Sequence, residues 1–157
     1  MNSSIVNVNY RGCVNTTLDL PGKHCKHPVQ LVIKDPKCTL VIFRNGKFRL
    51  MGCKTDDDIE AVGIAYKYFG HVPELILQSM TIKSQFHSRI NLHKLSERIE
   101  SQLELELFPA LTITKYKPVK INVFACGTLI MCGIRDFQFS NLILQELFPL
   151  LCECTQL

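Results

Sequence analysis

Asn45 and Gly46 stand between an apolar run, Thr39 to Phe43, and a run that alternates basic and apolar residues, Lys47 to Met51. An Asn-Gly dipeptide between two such runs is the signal of a β-hairpin closed by a type I′ turn. Eighty-one residues further on, Asn122 to Arg135 repeats the pattern: Phe43 falls on Phe124, Gly46 on Gly127, Leu50 on Met131 and Gly52 on Gly133. Two hairpins at one offset imply two copies of a unit of about eighty residues. The expected division is 1–73 and 74–157.

A chain of 157 residues buries roughly 68–70% of its unfolded surface, enough for one core or two small fused ones. A duplicated sheet sharing one core suits that length better than two free domains. Hydrophobic residues make up 46% of the chain, which excludes a disordered tail. No apolar run reaches the roughly 18 residues of a membrane span, and no basic-then-apolar leader opens the chain. The expectation is a soluble intracellular protein without a membrane partner. Eight cysteines, several beside apolar or glycine residues in strand-like runs, then read as free thiols acting as small hydrophobes. The cluster His24-Cys25-Lys26-His27 lacks a CxxC pair and a second spaced pair, so it reads as a solvated loop, and neither metal nor cofactor is expected.

Net charge is +4, and all the excess belongs to the first repeat. Lys23 to Lys54 carries eight Lys or Arg against the single acid Asp35, whereas residues 74–157 carry eight bases and eight acids. A basic sheet region points to a polyanionic partner, with a merely solvated basic edge as the plain alternative.

In chain order, Ser3 to Asn9 is a short strand, matched by Leu75 to Ile82 in the second copy. Their centres, Ser4-Ile5-Val6 and Ser79-Met80-Thr81, lie 75 residues apart. Thr16 to Leu20 starts at most a short helix before Pro21-Gly22, while Asn91 or Leu92 to about Glu104 predicts an amphipathic helix with Leu92, Leu95, Ile99 and Leu103 on one face. Strands follow at Val29–Ile33 and Thr39–Phe43, with a turn at Asp35-Pro36, and at Leu111–Lys115 and Lys120–Phe124. After each hairpin the period lengthens to helical spacing. Ile59 to Phe69 is expected to turn Ile59, Val62, Tyr66 and Phe69 to a core. Asp136 to Leu151 is expected to turn in Phe139, Ile143, Leu147 and Leu150 or Leu151, with Pro149 kinking or ending the helix.

Long helices of this kind would cover Leu40, Ile42, Phe48 and Leu50 in the first copy, and Ile121, Val123, Leu129 and Met131 in the second. Alternation then leaves Thr39, Val41, Phe43, Lys47, Arg49 and Met51 on an open face, with counterparts Lys120, Asn122, Phe124, Thr128, Ile130 and Cys132. A face mixing long cations with exposed phenylalanine, isoleucine and methionine binds something or sits against another protein.

The phrases that carry identity are Val41-Ile42-Phe43-Arg44-Asn45-Gly46-Lys47, Gly52-Cys53-Lys54, Glu104-Leu105-Glu106-Leu107-Phe108-Pro109 and Lys117-Pro118. In duplicate and in this order the chain resembles the core domain of the TATA-box-binding protein family, whose corresponding phrases run IFxSGK, TGAK, EPELFP and KPK. The likeness covers nearly all 157 residues. It implies an α+β fold, a pseudo-twofold saddle of curved antiparallel sheet backed by helices. The implied function is a general transcription initiation factor that binds and bends A·T-rich double-stranded DNA through the minor groove. The eroded internal symmetry and trimmed first-repeat helix suit a viral member. The implied location is the nucleus where eukaryotic host machinery is used, and the cytoplasm in an archaeal or virus-factory setting.

In that family two pairs of phenylalanines wedge between base steps. Carried over by the resemblance, Phe43 is one wedge of the first repeat, and Phe108 with Phe124 form the pair of the second. The fourth wedge is replaced by Lys26, by family spacing, or His27, by internal comparison. The same resemblance places Ser4, Val6, Val41, Arg49, Met51, Ser79, Thr81, Asn122, Ile130 and Cys132 on the groove floor. Ser4 and Ser79 there replace a twofold-related asparagine pair. Lys34, Lys37, Lys47, Lys54, Lys115, Lys117 and Lys120 are the implied phosphate contacts. Glu104, Glu106 and Leu107 fall on the acidic loop that receives a transcription factor IIB-like partner, linking the protein to the RNA polymerase initiation machinery. The helix after the first hairpin offers little basic charge beyond Lys67, which weakens the case for a transcription factor IIA-like contact.

No catalytic constellation stands beside this reading. The hairpin glycines precede no helix in a phosphate-binding motif, and Ser84, His87 and Ser88 have no orienting acid. The expectation is therefore a binding protein and not an enzyme. A protein-interaction module using the open face is the alternative. The substituted floor residues predict an A·T preference read through groove width and deformability. Selection from a randomised duplex library should return an A·T-rich consensus distinct from the usual TATA element, and recovery of that element unchanged would count against the floor assignments.

Overall fold

A computed structural model of the chain describes residues 1–14, 28–34, 37–56 and 58–156. The expected Thr16–Leu20 helix start, the His24–His27 cluster and the Asp35-Pro36 turn lie outside the described residues. The described elements are β1 (Asn2–Cys13), β2 (Val29–Lys34), β3 (Lys37–Ile42), β4 (Lys47–Cys53), α1 (Ile59–Phe69), β5 (Leu75–Gln85), α2 (Leu92–Ser96), β6 (Ser101–Leu103), β7 (Ala110–Ile113), β8 (Lys120–Phe124), β9 (Thr128–Ile134) and α3 (Phe137–Glu153). The fold is α+β, with antiparallel pairing backed by helices. Two compact units divide the chain: Asn7–Ser79, and Met1–Val6 together with Met80–Leu157. They do not coincide with the sequence halves 1–73 and 74–157, because residues 1–6 cluster with the later unit and residues 74–79 with the earlier one.

In the unit Asn7–Ser79 the strands run β2-β3-β4-β1, each antiparallel to its neighbour. Leu40, Ile42, Phe48 and Leu50 are buried as alternation requires, and Phe48 packs against Phe69 of α1 with the rings tilted and their centroids 4.9 Å apart. The buried face of α1 differs from expectation. Ala61, Ile64 and Ala65 turn inward, while Ile59 is 72% and Tyr66 64% exposed, and Val62 is exposed as well. Tyr10 and Phe48 already fill the sheet side with bulk, and at crystal-like packing density the facing helix then needs small residues. Apolar spacing alone chose the wrong stripe.

The other unit carries the order β5-β9-β8-β7-β6, covered by α3. Ile121, Val123, Leu129 and Met131 are fully buried, beneath Ile143, Leu147 and Leu151 of α3. Phe139 was expected inward and is 44% exposed, its place on the buried face taken by Ser140, whose hydroxyl donates to the Phe137 carbonyl. Pro149 does not end α3, which runs on to Glu153. Proline removes one amide donor, but Leu147 before it and Leu151 and Cys154 after it are buried, and that packing carries the helix past it.

The expected helix from Asn91 to Glu104 is also corrected. Only Leu92–Ser96 is helical, capped by the Asn91 side chain accepting from the Lys94 amide. The Arg98 amide then reaches back to Leu95 in a tightened turn, and Ser101–Leu103 pairs with Leu111–Ile113. A free edge on β7 offers unpaired backbone groups, and satisfying them outweighs the modest preference for another helical turn.

Both hairpin turns depart from type I′ in the same way. The amide of Phe43 donates to Lys47 at 2.8 Å, the amide of Gly46 donates to Phe43 at 3.0 Å, and Gly46 is left-handed at φ 77° while Asn45 is not. This is a three-residue loop with glycine in the bulge position. Gly127 repeats it at φ 87°. The carbonyl of each glycine then accepts from the end of a neighbouring strand, Val14 on Gly46 and Phe86 on Gly127. A Cβ on Gly127 would lie 2.6 Å from the backbone oxygens of both Phe86 and Ser88. Gly63 in α1 meets nothing within 4 Å. In urea titrations, Gly127→Ala should cost about 2 kcal/mol or more, whereas Gly63→Ala should gain about 0.5–1 kcal/mol. Equal effects from the two would contradict the turn geometry.

Candidate functional site

The face that the helices leave uncovered is built row by row from the ladder registers. In the unit Asn7–Ser79, one row across the strands is Gln30, Val41, Arg49 and Arg11, and the next is Val32, Thr39, Met51 and Asn9. Lys47 and Arg49 are exposed, Val32 is 71% exposed, and Phe43 is half-buried at the end of this face. A concavity of about 760 Å³ takes in Arg11, Phe43, Lys47 and Arg49, with His71 and Glu74 on its wall.

In the later unit the corresponding row is Gln102, Thr112, Asn122, Ile130 and Lys83, followed by Lys120, Cys132 and Thr81. Thr112 donates its hydroxyl to Asn122 Oδ1 at 3.0 Å, which orients the amide and leaves its two N–H donors for another acceptor. Phe108, 41% exposed, meets Phe124 edge to face with centroids 6.0 Å apart. The turn before them is tight: the amides of Leu107 and Phe108 both donate to the Glu104 carbonyl at 2.9 Å. It presents Glu104 and Glu106 to solvent and leaves Leu107 81% exposed.

One expected pairing is corrected by register. Val8 faces Cys53 and the ladder slips before Asn9; Met80 faces Ile134 and the ladder slips before Thr81. The counterpart of Met80 is therefore Val8, an offset of 72 and not 75. Asn7, not Ser4, corresponds to Ser79, and Asn9, not Val6, corresponds to Thr81. The amide of Asn9 donates to Ser79 Oγ at 3.4 Å, and the Oδ1 atoms of Asn7 and Asn9 are enclosed without a hydrogen-bond partner among the described residues. Ser4 and Val6 are exposed but lie outside the repeated register. Sequence comparison missed Asn7, Asn9 and Arg11 because the stretch from Val8 to Cys53 spans 45 positions and that from Met80 to Ile134 spans 54, so no single offset serves both strands. The two bulge glycines, Gly52 and Gly133, were the usable signal.

The lysines divide. Lys34, Lys37, Lys47, Lys54 and Lys120 have exposed side chains. Lys115 is instead bonded to Glu146 of α3, which holds the ammonium above and the carboxyl below their usual ranges. Lys117 lies 3.7 Å from Glu100. Lys26 and His27 lie outside the described residues. Among the described residues no group of three or more His, Cys, Asp or Glu is placed to hold a metal ion.

The profile of a family described as "Transcription factor TFIID (or TATA-binding protein, TBP)" matches residues 3–67. The chain is 27% identical over 136 residues to the TATA-box-binding protein of Methanococcus aeolicus, covering 81% of this chain and 72% of that one. It is 28% identical over 133 residues to the TATA-box-binding protein of Saccharomyces cerevisiae, covering 77% of this chain. Its fold superposes on that of Methanococcus jannaschii TBP with a TM-score of 0.81, over 99% of this chain and 100% of the other at 22% identity. The chain is a divergent relative of the TATA-box-binding proteins. Such relatives occur in both archaea and eukaryotes. The chain spans 72% of the first of these relatives but 55% of the yeast protein. That likeness places it among transcription factors and not among enzymes.

Cysteine environments on this TATA-box-binding protein relative differ sharply. At the second hairpin tip, Cys126 Sγ is 3.3 Å from Thr128 Oγ1, and that hydrogen bond lowers the thiol below its usual range. Burial pushes Cys53 up to about 12, and burial also raises Cys38 and Cys154. Thiolate is the reacting species. Iodoacetamide labelling followed by mass spectrometry near neutral pH should therefore modify Cys126 well before Cys38, Cys53 and Cys154. Thr128→Val should move the Cys126 profile to higher pH, and an unchanged profile would contradict the contact.

Proposed function

We propose that the protein is a general transcription initiation factor that binds and bends A·T-rich promoter DNA through the minor groove. The observation that carries this reading is the edge-to-face pair of exposed Phe108 and half-buried Phe124 at the end of an uncovered sheet face. Aromatic wedges of that kind unstack base steps at a cost of a few kcal/mol each, offset by contacts that bent DNA makes with more protein surface. Phe43 is the wedge of the other unit. Val41, Arg49, Met51, Ser79, Thr81, Asn122, Ile130 and Cys132 form the floor, joined by Asn7, Asn9 and Arg11 from the corrected register. An orienting Thr112 leaves the Asn122 amide able to donate to A N3 or T O2. Lys34, Lys37, Lys47 and Lys120 are the better candidates for phosphate contact, since Lys115 and Lys117 already have carboxylate partners, and Lys54 joins them by its exposure. Glu104, Glu106 and Leu107 form a docking loop for a transcription factor IIB-like protein, which connects the DNA complex to the polymerase machinery. The sequence halves 1–73 and 74–157 are its two repeats. It acts in the nucleus of a eukaryotic host, or in the cytoplasm of an archaeal or virus-factory setting.

Gel shifts on A·T-rich duplex, G·C-rich duplex and single strand at two salt concentrations provide the test. A·T-rich duplex should bind tightest, with affinity falling steeply as salt rises. Phe124→Ala should weaken that binding at least about tenfold, equivalent to about 1.4 kcal/mol. Association that ignores both salt and duplex sequence would replace this reading with a protein-interaction module.

A further inference from the structure

Arg11 of β1 stands directly opposite Arg49 of β4 in the ladder. Directly opposed residues on one face of an antiparallel pair have Cβ atoms about 4.5–5.5 Å apart, and like charges at that separation repel. Both arginines are exposed, and Lys47 follows on the same face of β4, opposite Cys13. None of these three cations forms an ion pair among the described residues, and Glu74 is the one carboxylate lining the concavity they share. By register the later unit has Lys83 for Arg11, Ile130 for Arg49 and Thr128 for Lys47. Three cations in one unit thus correspond to one in the other.

An unneutralised pair of opposed guanidinium groups costs stability in the free protein, and external oxygen acceptors would remove that cost. We propose that Arg11 and Arg49 form a paired guanidinium site for acceptor oxygens of the bound duplex, present in one unit only. The proposal rests on the duplex-binding reading above. Guanidinium offers a planar fork of donors that fits phosphate oxygens, and it is also drawn to the negative potential of a narrow A·T-rich minor groove. Backbone phosphates and base-edge acceptors are therefore the two sources of one chemistry.

The experiment compares wild type with Arg11→Gln, Arg49→Gln and the double variant. Affinity is measured against salt, and against single A·T→G·C substitutions placed in turn along the duplex. If phosphates are the acceptors, the double variant's salt slope should fall by about 2 with the substitution profile unchanged. If base edges are the acceptors, the slope should hold while the penalty for substitutions in one half of the site drops about tenfold. An unchanged slope together with an unchanged profile overturns the proposal. Arg49→Lys, which keeps the charge and loses the fork, carries the same comparison should the double variant not fold. A DNA-free arm follows the unfolding midpoint in sodium pyrophosphate and in sodium chloride of equal ionic strength. Wild type should be raised by several degrees in pyrophosphate and the variants should not. If wild type ignores duplex altogether, the promoter reading fails, and this arm alone then upholds or overturns the guanidinium pair as an anion site.

Discussion

The structure depends on one-sided burial of a strand whose side chains alternate. Because the period is two, packing Leu40, Ile42, Phe48 and Leu50 inward leaves Val41, Phe43, Lys47 and Arg49 on the other side, and a slip of one residue would exchange the two sets. The hairpin glycines guard against such a slip. Gly46 and Gly127 occupy left-handed conformations with backbone oxygens where a Cβ would stand, so each loop closes in one register. The uncovered face inherits its composition from that choice.

Comparison of the two units separates what the fold needs from what it leaves free. Positions turned to the helices stay apolar in both, as Phe48 and Leu129 or Leu50 and Met131 illustrate. Positions on the uncovered face change chemical class, from Val41 to Asn122, Arg49 to Ile130 and Lys47 to Thr128. Core packing penalises such changes by several kcal/mol, while a solvated face tolerates them. A family fold can persist at 22% identity under that division, with the binding surface free to diverge.

Much of this was legible in the chain. Strand parity, both hairpins, the N-terminus of α1 and the place of Phe43 and Phe124 on the uncovered face follow from local pattern, because alternation and turn chemistry are local physics. The errors share a different origin. Ile59, Val62 and Tyr66 form a respectable apolar stripe, yet the face packed against Tyr10 and Phe48 carries Ala61, Ile64 and Ala65. Residues 97–103 have helical spacing, yet the edge of β7 recruits Ser101–Leu103 into the sheet. Asn45 advertises a type I′ turn, yet the loop closes one residue wider with Gly46 alone left-handed. Each outcome was set by a partner distant in the sequence.

The chain by itself determined its duplication, its α+β class, its family and which residues of the central hairpins share a face, because these rest on repeats, periodicity and short motifs carried within a few residues. Tertiary structure alone decided that Asn7 corresponds to Ser79, that Arg11 opposes Arg49, and that Lys115 and Lys117 are held by Glu146 and Glu100. Those relations depend on ladder register and on side chains meeting across loops of unequal length, and neither is written in local pattern.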